Sequence, residues 1–450
     1  MSAKQIAAAA TVLQPYAGKP VSGPARWRSY WRHSANHLAA LADQAIVSGT
    51  SFAALIMLGR WTDANQLGAY ATAVSLLALL LAAQESLITR PYTIQMDHLS
   101  GAAEHAFSSL LLSVALSAAA TCVLSAAALM LSAIDAHPSV AEITWALAGM
   151  TPFVLTREFA RRFAFAHFKV FHVLLLDCAV AASNLVFLSW LSWTGSLSAL
   201  TALTATGISC AIGSLGWLYV ARREFAFRLG VLRTTLKASW GMGKWLLSGQ
   251  IALQVQGYVA YWLTMVIAGA AITGIYAACM SIVSFANPML FGLFNILTPK
   301  SVRAFRTEGG AGLRRQAALD ALLLAALMSV FCVFVLLAGE NVMGVVYPGA
   351  EYRGHGQILT VLALSALAGA IGAPASIALA SAQHTRAVAG VMSFAAVLNV
   401  ALVWALMTHW GFLGAAYAVL IAEAVGSLGR WIAFLALVPA AARVDSDGSR

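Results

Sequence analysis

The stretch TREFARRFAFAHFK (156–169) concentrates three arginines, one lysine and one glutamate in a largely apolar sequence. Arg157 and Arg161 are spaced i, i+4, as are Glu158 and Arg162, so the two pairs form neighbouring stripes on one helix. Glu158 and Arg162 stand in the favourable order for an ion pair within the helix. Arg157 and Arg161 have no such partner, and free guanidinium groups suit phosphate oxygens, which they bind in bidentate geometry. The stretch predicts a phosphate site or, as the alternative, basic anchoring at a membrane surface.

Four carboxylates, Asp43, Glu85, Asp177 and Glu423, lie in apolar runs. A charge at bilayer depth costs roughly 2.5–3.5 kcal/mol or more, so such groups usually face a cavity or a partner. Asp43, in LADQAIVSG, could pair with a cation, bind Na⁺ or a proton, or lie near the headgroups. Glu85 could pair with Arg90. We consider Asp43 and Glu423 as candidates for Na⁺ or H⁺ coupling, and we predict no metal site and no cofactor.

Membrane helices must position these residues. Of the 450 residues 60% are apolar and 10% are charged, whereas roughly a quarter of a soluble domain is charged. Runs of about twenty apolar residues can span the hydrocarbon core as helices. Twelve such runs occur, with centres near Ser51, Leu77, Ser117, Phe153, Ala182, Ile208, Gly257, Ser284, Val330, Leu367, Val397 and Ala422. The sequence therefore predicts an all-α integral membrane protein of about twelve transmembrane helices.

The basic residues predict the orientation of these helices. With a cytoplasmic amino terminus, 25 of the 27 Lys and Arg residues fall on the cytoplasmic side, and Arg60 and Arg353 remain on the other. This skew follows the positive-inside rule. It predicts a multi-pass membrane protein with both termini cytoplasmic. The net charge of +10 is then explained by contact with anionic lipid, and no motif indicates nucleic acid.

A short internal repeat predicts two lobes. Gly-x-Tyr-Ala-x-x-x-Ser occurs at 68–75 and again at 274–281, 206 residues later, in helices 2 and 8. Two six-helix halves would insert the same way up and leave a central cleft between them, as in transporters built from parallel repeats. The predicted domains are a basic cytoplasmic tail, an N-lobe of helices 1–6, a cytoplasmic linker, a C-lobe of helices 7–12 and a cytoplasmic tail, over 1–38, 39–221, 222–244, 245–438 and 439–450.

Enzyme signatures are missing from the sequence. It contains no G-x-x-x-x-G-K-[ST], H-E-x-x-H or G-x-S-x-G, and no clustered His and Cys. The connections between the predicted helices are short, so no large extramembrane loop could hold an active site. We therefore predict that the chain is not an enzyme, and a polymerase or ligase acting on lipid-linked glycans is disfavoured.

Several segments resemble one transporter superfamily. LADQAIVSGTSFAALIMLGR and LGAYATAVSLLALLLAAQESLITRPYT look like the first two helices of bacterial polysaccharide-unit flippases of the multidrug/oligosaccharidyl-lipid/polysaccharide exporter superfamily. VVYPGAEYRGHGQILTVLALSALAGAIGAPASIALASAQHTR resembles their helix 10 region, and HWGFLGAAYAVLIAEAVG the start of their last helix. The resemblance covers nearly the whole chain.

The resemblance implies a function. Such flippases carry undecaprenyl-diphosphate-linked oligosaccharides between leaflets by alternating access, for exopolysaccharide, capsule or O-antigen synthesis. It implies the bacterial cytoplasmic (inner) membrane as the location, and membrane lipids and this substrate as partners, with a polysaccharide polymerase and export machinery as further candidates. The implied diphosphate contacts are Arg60, Arg90, Arg157 and Arg161, with Lys244 on the facing lobe.

Two further points concern the substrate. The lipid II flippase branch typically has fourteen helices and a basic residue within helix 8, but residues 272–297 contain neither Lys nor Arg. This difference disfavours a peptidoglycan precursor as substrate. The alternative function is a cation-coupled multidrug exporter of the same fold, for which we expect a net acidic cleft.

Overall fold

The structure is a computed structural model that describes residues 24–95, 101–133, 138–226 and 229–440. Residues 1–23 of the predicted amino-terminal tail and 441–450 of the predicted carboxy-terminal tail lie outside the described residues. Within those ranges the chain is helical and contains no strand. The predicted all-α class is confirmed.

Eleven α-helices follow one another along the described chain. They are α1 (Pro24–Trp61), α2 (Ala64–Gln84), α3 (Arg90–Gln95), α4 (Ala102–Ala133), α5 (Pro138–Ala166), α6 (Val170–Trp193), α7 (Ala199–Ala221), α8 (Leu232–Val283), α9 (Asn287–Val346), α10 (Gly356–Ser381) and α11 (Thr385–Leu437). A π-helix, Glu85–Thr89, joins α2 to α3 without a loop. Short 3₁₀ turns link α7 to α8, α8 to α9 and α9 to α10.

Three of the long helices are broken at glycines. Gly269 in α8, Gly309 in α9 and Gly411 in α11 have φ values of 84°, 67° and 60°. This left-handed conformation is readily available to glycine and ends a right-handed helix. Because of these breaks, the run from α8 through α9 contains three crossing segments and α11 contains two.

The twelve predicted spans are thereby confirmed. Eight helices in the described chain are long and apolar enough to cross a membrane when continuous helices are counted. The glycine breaks divide two of these into five segments, and α5, a helix of 29 residues that is not among the eight, brings the total to twelve. All twelve predicted centres lie within the resulting segments. We treat the chain as a multi-pass membrane protein with two six-helix lobes.

The two copies of the repeated motif face each other across the boundary between the lobes. A Cβ built on Gly68 of α2 would lie 2.0 Å from the carbonyl oxygen of Ala270, and one on Gly274 would lie 1.9 Å from that of Ala64. Ala64 and Ala270 are also 206 residues apart. This reciprocal contact is what a twofold axis between duplicated halves produces, and it brings the α2 and α8 backbones together through small residues.

Further contacts close the same end of the molecule, which we call the Arg60 face. Arg60 donates a hydrogen bond to the carbonyl oxygen of Val345 at 3.0 Å. The backbone N–H of Ala64 donates to the Glu351 carboxylate, also at 3.0 Å. The ring of Tyr347 packs where a Gly59 side chain would be. The N-lobe and the C-lobe are therefore sealed together at the Arg60 face.

Candidate functional site

Most of the charged residues singled out in the sequence meet inside the N-lobe. We call this set the N-lobe network; its members, from α1, the π-helix, α3, α5 and α6, are Asp43, Glu85, Arg90, Arg157, Glu158, Arg161, Arg162 and Asp177. It starts at a buried carboxylate and ends at two half-exposed arginines.

Asp177 of α6 is the buried centre of the network. Its side chain has no exposed surface. Oδ1 accepts hydrogen bonds from Nε of Arg157, at 3.0 Å, and from Nη2 of the same guanidinium. Oδ2 accepts from Nε of Arg161. One carboxylate thus orients two arginines that lie one turn apart on α5.

Arg161 connects three carboxylates from three helices. Besides Asp177, its Nη2 donates to Oδ2 of Asp43 at 2.9 Å and its Nη1 to Oε2 of Glu158 at 3.0 Å. The expectation that Arg157 and Arg161 have no partner is therefore wrong. Both are ion-paired, and their side chains are only 16% and 13% exposed. Asp43 and Asp177, which are distant in sequence, supply the missing partners.

The predicted pairs at the other end of the network are confirmed. Arg162 donates from Nε to Glu158 at 2.8 Å, and Arg90 donates from Nε to Glu85 at 2.9 Å. Glu85 is also 3.6 Å from Nη2 of Arg162. Arg90 and Arg162 have side-chain exposures of 46% and 42%, so they are the accessible arginines of the network.

The π-helix makes the Glu85–Arg90 pair possible. In an α-helix successive residues are about 100° apart, so residues five apart point in different directions. In a π-helix the i→i+5 hydrogen bond places these residues above one another. The backbone N–H of Arg90 makes that bond to the carbonyl oxygen of Glu85. Both side chains consequently lie on one face.

The formal charges of the N-lobe network cancel. Four arginines are matched by two aspartates and two glutamates, and each carboxylate contacts at least one guanidinium. Buried ions need such pairing because unpaired charges are strongly disfavoured at low dielectric. One oxygen, Oδ1 of Asp43, is buried and has no hydrogen-bond partner within the described residues.

Lys244 lies on α8 of the other lobe, next to Gly243. Its neighbour Gly243 packs so tightly on the π-helix that a Cβ there would be 2.8 Å from the Ser86 carbonyl oxygen and 2.9 Å from Cα of Leu87. The Lys244 ammonium lies 5.5 Å from the centre of the exposed Trp245 ring. Through Gly243, α8 therefore contacts the π-helix that carries Glu85.

The structure does not bring Arg60 to the other candidates. Asp43 and Arg60 are seventeen residues apart on α1, which corresponds to about 25 Å. Arg60 instead belongs to the seal on the Arg60 face. Roles for Arg60, Arg90, Arg157, Arg161 and Lys244 in substrate binding stay predictions.

Glu423 belongs to a separate polar cluster in the C-lobe. It accepts a hydrogen bond from Nε2 of Gln256 at 2.6 Å and lies 3.4 Å from Nη2 of Arg430. The count of basic residues places Arg430 with the cytoplasmic carboxy terminus, but it lies within α11 and is 9% exposed. The sequence does contain a sign of this ion pair. Arg430 follows Glu423 by seven residues, or two helical turns, so both lie on the same side of an apolar helix.

α10 fits closely around this cluster. A Cβ on Gly372 would lie 2.1 Å from Oγ of Ser427 and 2.7 Å from Nη2 of Arg430. Ser427 also donates to the carbonyl oxygen of Ala368. Within the described residues no three His, Cys, Asp or Glu side chains form a group that could hold a metal ion.

Comparisons with known proteins show similarity in structure but none in sequence families. No protein-family model matches the chain, and no curated protein matches it. An inward-facing multidrug resistance MATE family transporter of the MOP superfamily aligns with a TM-score of 0.65 at 17% identity, over 96% of this chain and 98% of that one.

Two further structures align over most of their length. The lipid II flippase MurJ, in an inward closed conformation, has a TM-score of 0.66 at 12% identity, over 88% of this chain and 87% of the other. The other is a MOP superfamily transporter from Pyrococcus furiosus, whose binding pocket is described as having reverse polarity. It has a TM-score of 0.62 at 15% identity, over 89% of this chain and 94% of that one. At these identities the alignments show that the chain has the fold of MOP superfamily transporters.

Proposed function

We propose that this chain, which has the fold of MOP superfamily transporters, is a flippase for a polyprenyl-diphosphate-linked oligosaccharide. It acts as a transporter in the inner membrane, without a chemical reaction on its substrate. Alternating access of the two lobes shields the polar sugar and diphosphate while the polyprenyl chain stays in lipid. The translocated unit serves cell-surface polysaccharide synthesis.

The contacts at the Arg60 face support alternating access. That face carries Arg60 and Arg353, whereas the other face carries most of the basic residues. By the positive-inside rule the Arg60 face is periplasmic. Since the lobes are in contact there, we assign this conformation as closed on the periplasmic side.

The charge balance of the N-lobe network is the observation that carries the choice of substrate. An exporter of cationic drugs needs negative charge that is not already neutralised. In the N-lobe network every carboxylate contacts a guanidinium, and the two most accessible members are the arginines Arg90 and Arg162. This arrangement favours an anionic headgroup over a cationic drug.

Reconstitution tests the proposal directly. Purified protein in liposomes is supplied with a fluorescent polyprenyl-diphosphate-linked oligosaccharide, and translocation is followed by loss of the signal accessible to an external quencher. We expect faster translocation than in protein-free liposomes, and no acceleration for phosphatidylethanolamine with the same fluorophore. Equal rates for both lipids would contradict the proposal. In cells, deletion of the gene should cause lipid-linked units to accumulate on the cytoplasmic leaflet.

A cation-coupled multidrug exporter is the second candidate. Asp43 supports it, because one of its buried oxygens lacks a partner within the described chain and could accept a proton or Na⁺. The same liposomes loaded with ethidium, under a proton or sodium gradient, distinguish the two functions. Ethidium transport that Asp43→Asn abolishes, with no lipid translocation, would establish the exporter instead.

A further inference from the structure

Glu85 lies between two guanidinium groups from different helices. Arg90 contacts one of its oxygens at 2.9 Å and Arg162 the other at 3.6 Å. Glu85 is 19% exposed, while both arginines are more than 40% exposed. The carboxylate therefore holds two accessible guanidiniums side by side, as a bound anion would.

These arginines lie at the depth of a lipid headgroup. Arg90 follows Ala64, at the Arg60 face, by twenty-six residues of nearly continuous helix, or about 35–40 Å. The hydrocarbon core is about 30 Å thick. Arg162 is four residues before the end of α5. Both side chains are consequently near the membrane surface opposite the Arg60 face.

The site also lies at the boundary between the lobes. Gly243 of α8 packs on the backbone of Ser86 and Leu87, directly beside Glu85, and Lys244 follows it. Lys244 is the only basic residue among the neighbours of Gly243 along α8 from Ser239 to Ser248, so we include it in the proposed site. A ligand held here would contact both lobes, and its release would depend on their relative position.

We propose that Arg90 and Arg162, together with Lys244, bind the diphosphate of a lipid-linked substrate, and that Glu85 is the internal anion that this diphosphate displaces. The inference rests on the proposed function and names its binding site. Arginine binds phosphate oxygens through paired N–H donors, and Lys244 adds a point charge. Arg157 and Arg161 are excluded from this role because their side chains are only 16% and 13% exposed and are held by the buried Asp177.

Binding measurements on the full-length protein in nanodiscs test this assignment. The probes are a polyprenyl diphosphate, inorganic pyrophosphate and, as competitor, phosphatidylglycerol in a phosphatidylcholine bilayer. We expect Arg90→Ala/Arg162→Ala to weaken polyprenyl diphosphate binding about a hundredfold, since loss of each charged contact costs roughly tenfold or more. Arg303→Ala/Arg306→Ala, which removes two arginines of α9 that lie outside the site, is the charge-matched control and should bind like wild type.

Two variants separate recognition from a structural role. Glu85→Gln removes the competing anion, so diphosphate affinity should rise severalfold, whereas a purely structural Glu85 would give equal or weaker binding. Arg90→Lys/Arg162→Lys keeps the charge but loses the paired donors, and we expect an intermediate loss of about tenfold. If Arg90→Ala/Arg162→Ala fails to fold, these two variants still test the proposed site.

Each outcome has a defined meaning. If Arg90→Ala/Arg162→Ala binds like the control while wild type binds polyprenyl diphosphate, this site is wrong and the proposed function stands. If wild type binds no polyprenyl diphosphate, the proposed function fails with it. Competition by phosphatidylglycerol at equal affinity would make this a general anionic-lipid site and overturn the assignment. An affinity for pyrophosphate comparable to that for polyprenyl diphosphate would support the assignment and show that the site recognises the diphosphate alone.

Discussion

The contact between Gly68 and Gly274 predicts that a single methyl group opens the Arg60 face. In Gly68→Ala the new Cβ would lie 2.0 Å from the Ala270 carbonyl oxygen, and real Cβ atoms essentially never approach other atoms within 3.0 Å. The two helices must therefore separate by about 1 Å or more before the methyl group fits. Both contact partners are backbone atoms, so no side chain can rotate away.

The energetic consequence follows from this overlap. Inserting a methyl group into a close-packed contact costs about 1–3 kcal/mol. In the alternating-access cycle that we propose, only the sealed conformation bears this cost, because in the open one the lobes are apart. The ratio of sealed to open molecules should fall about 5- to 150-fold. Gly68→Ala/Gly274→Ala should have less than the summed effect, since the separation that admits one methyl group makes room for the other.

Electron–electron distance measurements provide the assay. Spin labels are placed at Trp61 and Arg353, which are exposed on the Arg60 face in different lobes, in a background without the native cysteines. We expect Gly68→Ala to shift the distance distribution to longer values. Gly257→Ala is the matched control on α8, because a Cβ there meets no atom within 4 Å. An unchanged distribution in folded Gly68→Ala would refute the reasoning.

Two further predictions concern the buried polar residues. Arg161→Ala leaves Asp177 and its neighbouring carboxylates with one guanidinium fewer, and it should destabilise the folded protein by about 3–5 kcal/mol, seen as a lower thermal midpoint in detergent. Gly372→Ala should also lower the midpoint, because its Cβ would overlap Ser427; Gly390→Ala, where the space is open, should leave it unchanged. A midpoint for Arg161→Ala or Gly372→Ala equal to that of Gly390→Ala would contradict the corresponding prediction.

The fold could be predicted well from the sequence because a single physical constraint determines most of it. Backbone groups in hydrocarbon must be satisfied within the helix, so long apolar runs become spanning helices. The repeat was also informative: Gly68 and Gly274, selected only by their 206-residue offset, meet at the lobe boundary. The exact domain boundaries stay a prediction.

The partners of the charged residues could not be predicted in the same way. Arg161 and Asp43 are 118 residues apart, and nothing in a single sequence indicates that α1 and α6 converge on α5. The Glu158–Arg162 pair, in contrast, could be predicted from the sequence, because residues four apart on one helix are always neighbours. The π-helix also escaped prediction, because one extra residue per turn leaves the apolar composition unchanged.

These observations bear on how the phosphate-binding transporter that we propose could be built from this sequence. Arginines that enter a lipid-facing helix must be neutralised to fold, so the most buried ones become structural. Arg157 and Arg161 are in that position, fixed by Asp177. Moving along the N-lobe network toward the membrane surface, the arginine side chains become more exposed, and Arg90 and Arg162 both contact Glu85. The buried half of the network therefore positions α5, and its exposed half presents the two guanidiniums to which we assign the anionic substrate.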